Sequence, residues 1–278
     1  LLIFKYIPMV GILMAFQDYK VAKGLFDSPW VGLDKFQELF AGAQFGYAFR
    51  NTVYMALLNL TLGFIIPVIL GLLISQVRNK RRSRVVQTIT YMPYFVAPVV
   101  VCTLAKEFLK EGGAITMFLT MFGLPNQNWL AVNSPVFWFI NCFLGIWQGA
   151  GYGAIVYIAA INGIDQNLYE AACIDGASRW QRLWNITIPS IVPLVVMMFT
   201  MQIGLVFMTG FDKVLLLYMP TTYEFSDCLS TYTYRMAFSS GNDFSLSTAS
   251  GLLQSIIGTL LLIFGNKMSE KATKMSLF

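Results

Sequence analysis

Histidine is absent from this 278-residue chain, and with it the commonest metal ligand and the usual proton shuttle of neutral pH. That counts against an intramembrane metalloprotease or a histidine relay. Charge is scarce as well: Lys, Arg, Asp and Glu make up 12% of the residues, against about 25% in soluble domains. Cysteine is limited to Cys102, Cys142, Cys173 and Cys228, in separate segments without a CxxC pair, so neither a zinc site nor an evident disulfide is indicated. They read as apolar filler. No glycine-rich loop ending in Lys-Ser or Lys-Thr is present, so any ATP has to be bound by another chain.

What the chain does have is apolar length. It is 56% hydrophobic, with a mean hydropathy of +0.62. A hydrocarbon core about 30 Å thick needs about 20 apolar residues in a helix. Uncharged runs of that size are Asn51 to Val77, Val85 to Ala105, Leu183 to Phe211 and Phe244 to Asn266, and a further span is expected over Val136 to Ala160, after the turn-rich Pro125-Asn126-Gln127-Asn128. Tyr6 to Gln17 offers only 12 uncharged residues and reads as the second half of a first helix cut short at its N-terminus. The net charge of +5 is too small and scattered for nucleic acid, but it orients a membrane protein. The segments from Arg78 to Arg84, from Ile161 to Pro189 and after Asn266 hold ten Lys/Arg and four acids, whereas the other side holds eight and ten. The positive-inside rule then puts residues 161–189 and both termini in the cytoplasm. No acid lies deep in a span to carry a coupling proton or sodium ion, which favours an external energy source over secondary transport.

Between two long apolar segments, and holding much of the charge in that half of the chain, lies Glu170-Ala171-Ala172-Cys173-Ile174-Asp175-Gly176-Ala177-Ser178-Arg179, running on to Ile186-Thr187-Ile188-Pro189. Asn167 with Glu170, and Ser178 with Gln181, both have capping-box spacing. Gly176 after Asp175 marks a sharp bend, so the segment reads as helix, bend, helix. Trp180, Leu183, Trp184 and Ile188 are expected to share one face of the second helix. Glu-Ala-Ala, three residues, Gly, then Ile-x-Ile-Pro resembles the signature of type I ABC importer permeases, with Ile188 where Leu is usual. Met92-Pro93-Tyr94-Phe95-Val96-Ala97-Pro98 and Tyr232-Thr233-Tyr234-Arg235-Met236-Ala237-Phe238 resemble segments of the carbohydrate-uptake, maltose-type subfamily. The resemblance implies that the loop is a cytoplasmic coupling helix, with Glu170, Ala171, Ala172, Asp175, Gly176 and Arg179 coupling it to an ATPase. The bland alternative is a bent amphipathic loop that docks nothing.

Polar groups inside spans should face protein or water. In the fourth span Asn141, Gln148 and Tyr152 fall on one narrow stripe, beside the GxxxGxxxG strip of Gly145, Gly149 and Gly153. The stripe can line a translocation cavity, with amides for sugar hydroxyls and Tyr152 or Trp147 as a flat face for a sugar ring; it can equally be interhelical glue, and the strip a packing surface. The resemblance implies substrate contacts at Tyr94, Gln148, Gly149 and Tyr152. In the fifth span the family's Asn-rich pattern is replaced by a stretch offering Gln202 and Thr209, two turns apart. Asn59 and Gln254 read as helix-packing contacts, and Pro67, Pro93, Pro98 and Pro193 as kinks.

The expectation is an all-α integral membrane protein of six transmembrane helices with a cytoplasmic coupling helix, the type I ABC permease (MetI-like) fold. Its divisions are the truncated first helix over 1–17, an extracytoplasmic loop over 18–48, the permease core over 49–266 and a cytoplasmic tail over 267–278. It implies a multi-pass protein of the bacterial cell membrane that imports a carbohydrate, an oligosaccharide first of all, with a glycerol phosphate or modified sugar as alternative cargo. By resemblance its partners are a second homologous permease, two ATPase subunits that bind ATP and Mg, and an extracytoplasmic solute-binding protein. The chain itself would hold no cofactor or metal and do no covalent chemistry. A stand-alone channel, a secondary carrier or a membrane-embedded enzyme are the rivals, the last without a visible nucleophile or metal set.

Overall fold

A computed structural model describes residues 2–77, 79–208, 210–239 and 242–273. Thr209, Arg78 and the tail after residue 273 therefore lie outside the described residues. Among the described residues every regular element is a helix, and one isolated bridge pairs Gln17 with Trp30. The short apolar stretch near the start forms a 3-10 helix over Ile7–Phe16, with Pro8 in its first turn.

Helix α1 runs over Ala43–Ser75. It begins eight residues before the expected uncharged run because its polar end is satisfied by protein: Gln44 accepts from Arg235, and Arg50 and Asn51 both donate to the Glu224 carbonyl. Inside it a wide π-turn, Asn59–Gly63, ends four residues before Pro67. That is where a proline ring crowds the carbonyl of the preceding turn and leaves it without an N–H donor.

Helix α2 runs over Lys80–Phe95, its last turn tightened into a 3-10 form over Met92–Phe95. The Asn79 side chain caps it by accepting from the backbone N–H groups of Arg81 and Arg82. Helix α3 follows over Pro98–Leu109. The span expected to run unbroken from Val85 to Ala105 is thus interrupted, and Val96 is extended (φ −78°, ψ 128°). Pro98 contributes the physical cause, since it disfavours the helical region for Ala97 and has no N–H to give to the Tyr94 carbonyl.

Helix α4 spans Val136–Asn162, close to the expected limits. Helix α5, Gln166–Ile174, is followed by α6 over Arg179–Leu205, which contains a π-turn at Leu183–Thr187 and Pro193 in its interior. Shorter α7 (Phe211–Leu217) and α8 (Leu229–Phe238) precede the long α9, Phe244–Thr273. Among the described residues α1, α4, α6 and α9 are each long and apolar enough to cross a membrane, and α2 with the residues after Pro98 passes as a broken fifth span.

The chain divides into two compact units, Leu1–Ala56 with Pro98–Asn141 and Phe207–Leu260, and Leu57–Ala97 with Cys142–Val206 and Leu261–Phe278. The first is organised by a buried polar knot. Arg235 Nη2 donates to Asp227 Oδ2 at 2.6 Å, Thr231 Oγ1 donates to Asp227 Oδ1 at 2.6 Å, and Asn51 Nδ2 donates to the Asp227 carbonyl at 2.9 Å. The Arg235 guanidinium lies 4.4 Å from the Tyr223 ring centroid, and that of Arg50 lies 4.5 Å from Phe225. Burial pushes the Asp227 carboxyl above the usual carboxylate range, against the opposing pull of Thr231 and Arg235. Gln254, expected to pack helices, does so by donating to Ser230 Oγ and the Phe207 carbonyl. In the second unit α1 and α4 meet through small residues: a Cβ on Gly71 would come within 2.9 Å of Tyr157 Cβ, and one on Gly153 within 3.3 Å of Pro67.

Candidate functional site: the Glu170 loop and the α2–α4 tyrosine pair

The described residues expected to couple to the ATPase or to line the substrate pathway fall in the second unit, and most of them form two groups. The first is the loop joining α4 to α6. Its leading cap is Asp165 rather than Asn167: the Asp165 carboxylate accepts the Asn167 backbone N–H at 3.0 Å, and α5 starts at Gln166. A carboxylate suits a helix N-terminus better than an amide does, because it also meets the positive end of the dipole. The far end of α5 closes in a Schellman arrangement, with Ala177 N–H on the Ala172 carbonyl at 2.9 Å and Gly176 N–H on Cys173 at 3.1 Å. Gly176 has φ +73°, the left-handed geometry expected of it. The second box forms as its spacing predicts, Ser178 N–H donating to Gln181 Oε1 at 2.7 Å and Gln181 N–H to Ser178 Oγ at 3.3 Å.

Glu170, Ala171, Asp175, Gly176 and Arg179 are exposed, and Ala172 is half-buried. So are two large apolar groups, Ile174 at 87% and Trp180 at 66%, on a charged loop where such exposure leaves a face without a partner. The expected single apolar face of Trp180, Leu183, Trp184 and Ile188 does not form intact. Trp180 and Trp184 do meet, edge-on and exposed (5.9 Å, 70°), while Leu183 and Ile188, at and beyond the π-turn of Leu183–Thr187, are half-buried. The loop is tied back to α6 by Tyr169, whose hydroxyl lies 2.8 Å from Thr187 Oγ1. Cys173 is exposed and accepts from Arg182 Nη1, which is more than filler.

The second group centres on the break after α2. Tyr94 and Tyr152 stack face to face, ring centroids 3.9 Å apart and planes within 5°. Both remain substantially exposed, at 44% and 45%. Three contacts fix their backbones. Gln148 is buried, and its Nε2 donates to the Val96 carbonyl at 2.7 Å, a carbonyl that the helix break leaves without an α-helical donor. Gly151 packs so closely on the Thr90 carbonyl that a Cβ there would collide with it. Tyr94 also meets Phe95 edge-on.

Gly149 and Gln202 lie apart from the tyrosines, sharing a cavity of about 430 Å³ with Asn59, Pro67, Gly153 and Met201. Within the expected glycine strip the close helix approach is made by Gly153 against Pro67, and outside it by Gly151 against Thr90; a Cβ on Gly149 would meet open space. Of the expected polar stripe, Asn141 Nδ2 donates to Met55 Sδ at 3.4 Å, Gln148 braces Val96, and Tyr152 alone presents a free surface. Sequence reasoning missed the Asp227–Arg235 pair of the first unit. The available signal was Arg235 itself, a lone base within an otherwise uncharged recognised motif.

The profile of the family described as "Binding-protein-dependent transport system inner membrane component" matches residues 63–274. The chain belongs to this family. This permease is 38% identical over 271 residues to the Bacillus subtilis (strain 168) protein named "Polygalacturonan/rhamnogalacturonan transport system permease protein YteP", covering 97% of the permease and 84% of that relative. Among solved structures it is similar to a chain of a bacterial ABC transporter for import of the acidic polysaccharide alginate, with TM-score 0.89 and 38% identity over 98% of the permease and 91% of that chain. A second structure, of a bacterial alginate ABC transporter with an alginate pentasaccharide-bound periplasmic protein, matches at TM-score 0.89 and 38% identity over 99% and 92%. The permease is accordingly a multi-pass membrane component of a binding-protein-dependent ABC transport system.

Proposed function

We propose that the permease moves an oligosaccharide inward through alternating access, powered by ATPase subunits that dock on the Glu170 loop. The observation that carries the cargo class is the likeness, along nearly the whole chain, to permeases named for polygalacturonan, rhamnogalacturonan and alginate. Chemistry agrees with it. The stacked Tyr94–Tyr152 pair offers broad apolar ring surface beside a polar rim, as a sugar ring's C–H face requires.

In this reading Glu170, Ala171, Ala172, Asp175, Gly176 and Arg179 form the rigid link to the ATPase, supported by the Schellman bend and by the unpartnered Ile174 and Trp180. Tyr94 and Tyr152 touch substrate, and Gly149 and Gln202 border its path. Gln148 acts through Val96, holding the break that presents Tyr94. The charge asymmetry supports an orientation with residues 161–189 and both termini in the cytoplasm. The assembly is a heterodimer with a second permease, two ATPases that hold ATP and Mg, and an extracytoplasmic binding protein. No covalent step falls to this chain.

The test is co-purification of the chain with its partners, followed by identification of the solute that stimulates ATP hydrolysis when offered on its binding protein. Stimulation by an oligosaccharide supports the reading; stimulation by a glycerol phosphate alone sinks the cargo assignment.

A further inference from the structure

Between the loop and the ends of α1, α4 and α6, all within the second unit, lies a cavity of about 410 Å³. Its polar lining includes Arg179, Arg182, Gln76, Asn162, Tyr169 and Thr187. Among the described residues no Asp or Glu lines it. Among the described residues neither arginine forms a salt bridge. Arg182 is the telling side chain. Its Nε is buried without any hydrogen-bond partner, and its Nη1 donates to the thiol of Cys173, a weak acceptor. A guanidinium has five donors in a planar fork, and it is met elsewhere in proteins by carboxylate or phosphate oxygens. Here the fork borders a polar space with amide and hydroxyl donors around it and nothing negative inside.

We propose that this cavity binds a phosphate-type oxyanion, held by Arg182 and Arg179 with Asn162, Gln76 and Tyr169 donating around it. Two sources share that chemistry, free phosphate and the headgroup of an anionic phospholipid, since the cavity sits at the ends of spans that the charge asymmetry places at the cytoplasmic surface. The inference stands on the lining chemistry, and the identity of the transported solute does not enter it. Its consequence is regulatory: an anion there would pin the root of the loop against α6, where Tyr169 already holds Thr187.

The experiment reconstitutes the whole transporter in nanodiscs of phosphatidylcholine, with and without phosphatidylglycerol, at constant ionic strength. Labelled orthophosphate bound per complex is measured in the neutral discs, and phosphatidylglycerol retained after detergent extraction is counted by mass spectrometry from the anionic ones. Two variants are compared with the parent: Arg179→Gln/Arg182→Gln, and Asn162→Trp, which fills the space and leaves both arginines. The expected result is one oxyanion per chain, from one source or the other, bound at least about tenfold more weakly in both variants. Equal occupancy in the parent and Asn162→Trp overturns the proposal whatever the arginine variant does. So does binding lost in Asn162→Trp but kept in the arginine variant, which would mean that the two arginines do not hold the anion.

Discussion

At residue scale Gly176 is the position with least latitude. Its φ of +73° is the conformation that closes the Schellman bend, and a side chain with a Cβ costs about 1–2 kcal/mol there. A Cβ at Gly176 would meet nothing in space, so the cost is backbone strain alone and falls on the direction of the loop. Gly176→Leu should therefore insert into membranes normally yet hydrolyse ATP without matching uptake in vesicles; transport at the parent rate would remove the loop from the coupling role. Tyr152→Ala strips one ring from the stacked pair, an interaction of about 0.5–1.5 kcal/mol beyond burial. Uptake should weaken several-fold while the ATPase still co-purifies, and unchanged kinetics would take Tyr152 out of the pathway. Gln148→Leu probes the adjacent step by leaving the half-buried Val96 carbonyl unpaired, a loss of about 1 kcal/mol. Gln148→Glu, whose carboxyl oxygen cannot donate when ionised, should resemble it in transport assays, and full activity in both would mean that the hydrogen bond to Val96 does not position Tyr94.

Elements show why some of this was legible in sequence and some not. The runs in α1, α4, α6 and α9 were readable because lipid demands uninterrupted apolar length, and the second box at Ser178 because its two donors depend on neighbours three residues apart. The break between α2 and α3 was not read, although Pro93 and Pro98 were noted as kinks, because hydropathy alone does not register a missing N–H. Asn167 has the spacing of a cap but not the role, since Asp165, two residues upstream, takes the backbone donor first. The GxxxGxxxG strip is legible only in part: spacing sets which glycines share a face, but the facing helix decides which are used, and those are Gly153 against Pro67 and, off the strip, Gly151 against Thr90. The Asp227–Arg235 pair was invisible for the same reason, because its burial comes from Asn51, Tyr223 and Tyr232, which are distant in sequence or on a separate turn. Removing either partner strands a buried charge, so Asp227→Leu or Arg235→Met alone should destabilise the first unit by about 3–5 kcal/mol. The double variant should recover most of that in thermal melts of the solubilised protein; additive losses would show that the pair is not an isolated charge balance.

For the whole molecule, the link from sequence to function is that polar residues in an apolar chain are placed where protein, and not lipid, satisfies them. Gln148, Asn51 and Gln254 all end on backbone carbonyls, so each polar side chain holds a bend or a loop that apolar packing would leave adjustable. The groups left open are the tyrosine pair, the Glu170 loop with Ile174 and Trp180, and the arginine-lined cavity beside it. In the function proposed, substrate, motor and regulator each meet one of these. The most direct measurement is uptake of a labelled oligosaccharide into proteoliposomes that contain the assembled transporter, with the loaded binding protein outside and ATP trapped inside. The reading offered above predicts accumulation that requires both ATP and binding protein; accumulation or leak of the same size with neither present would make the chain a carrier or a channel and contradict it.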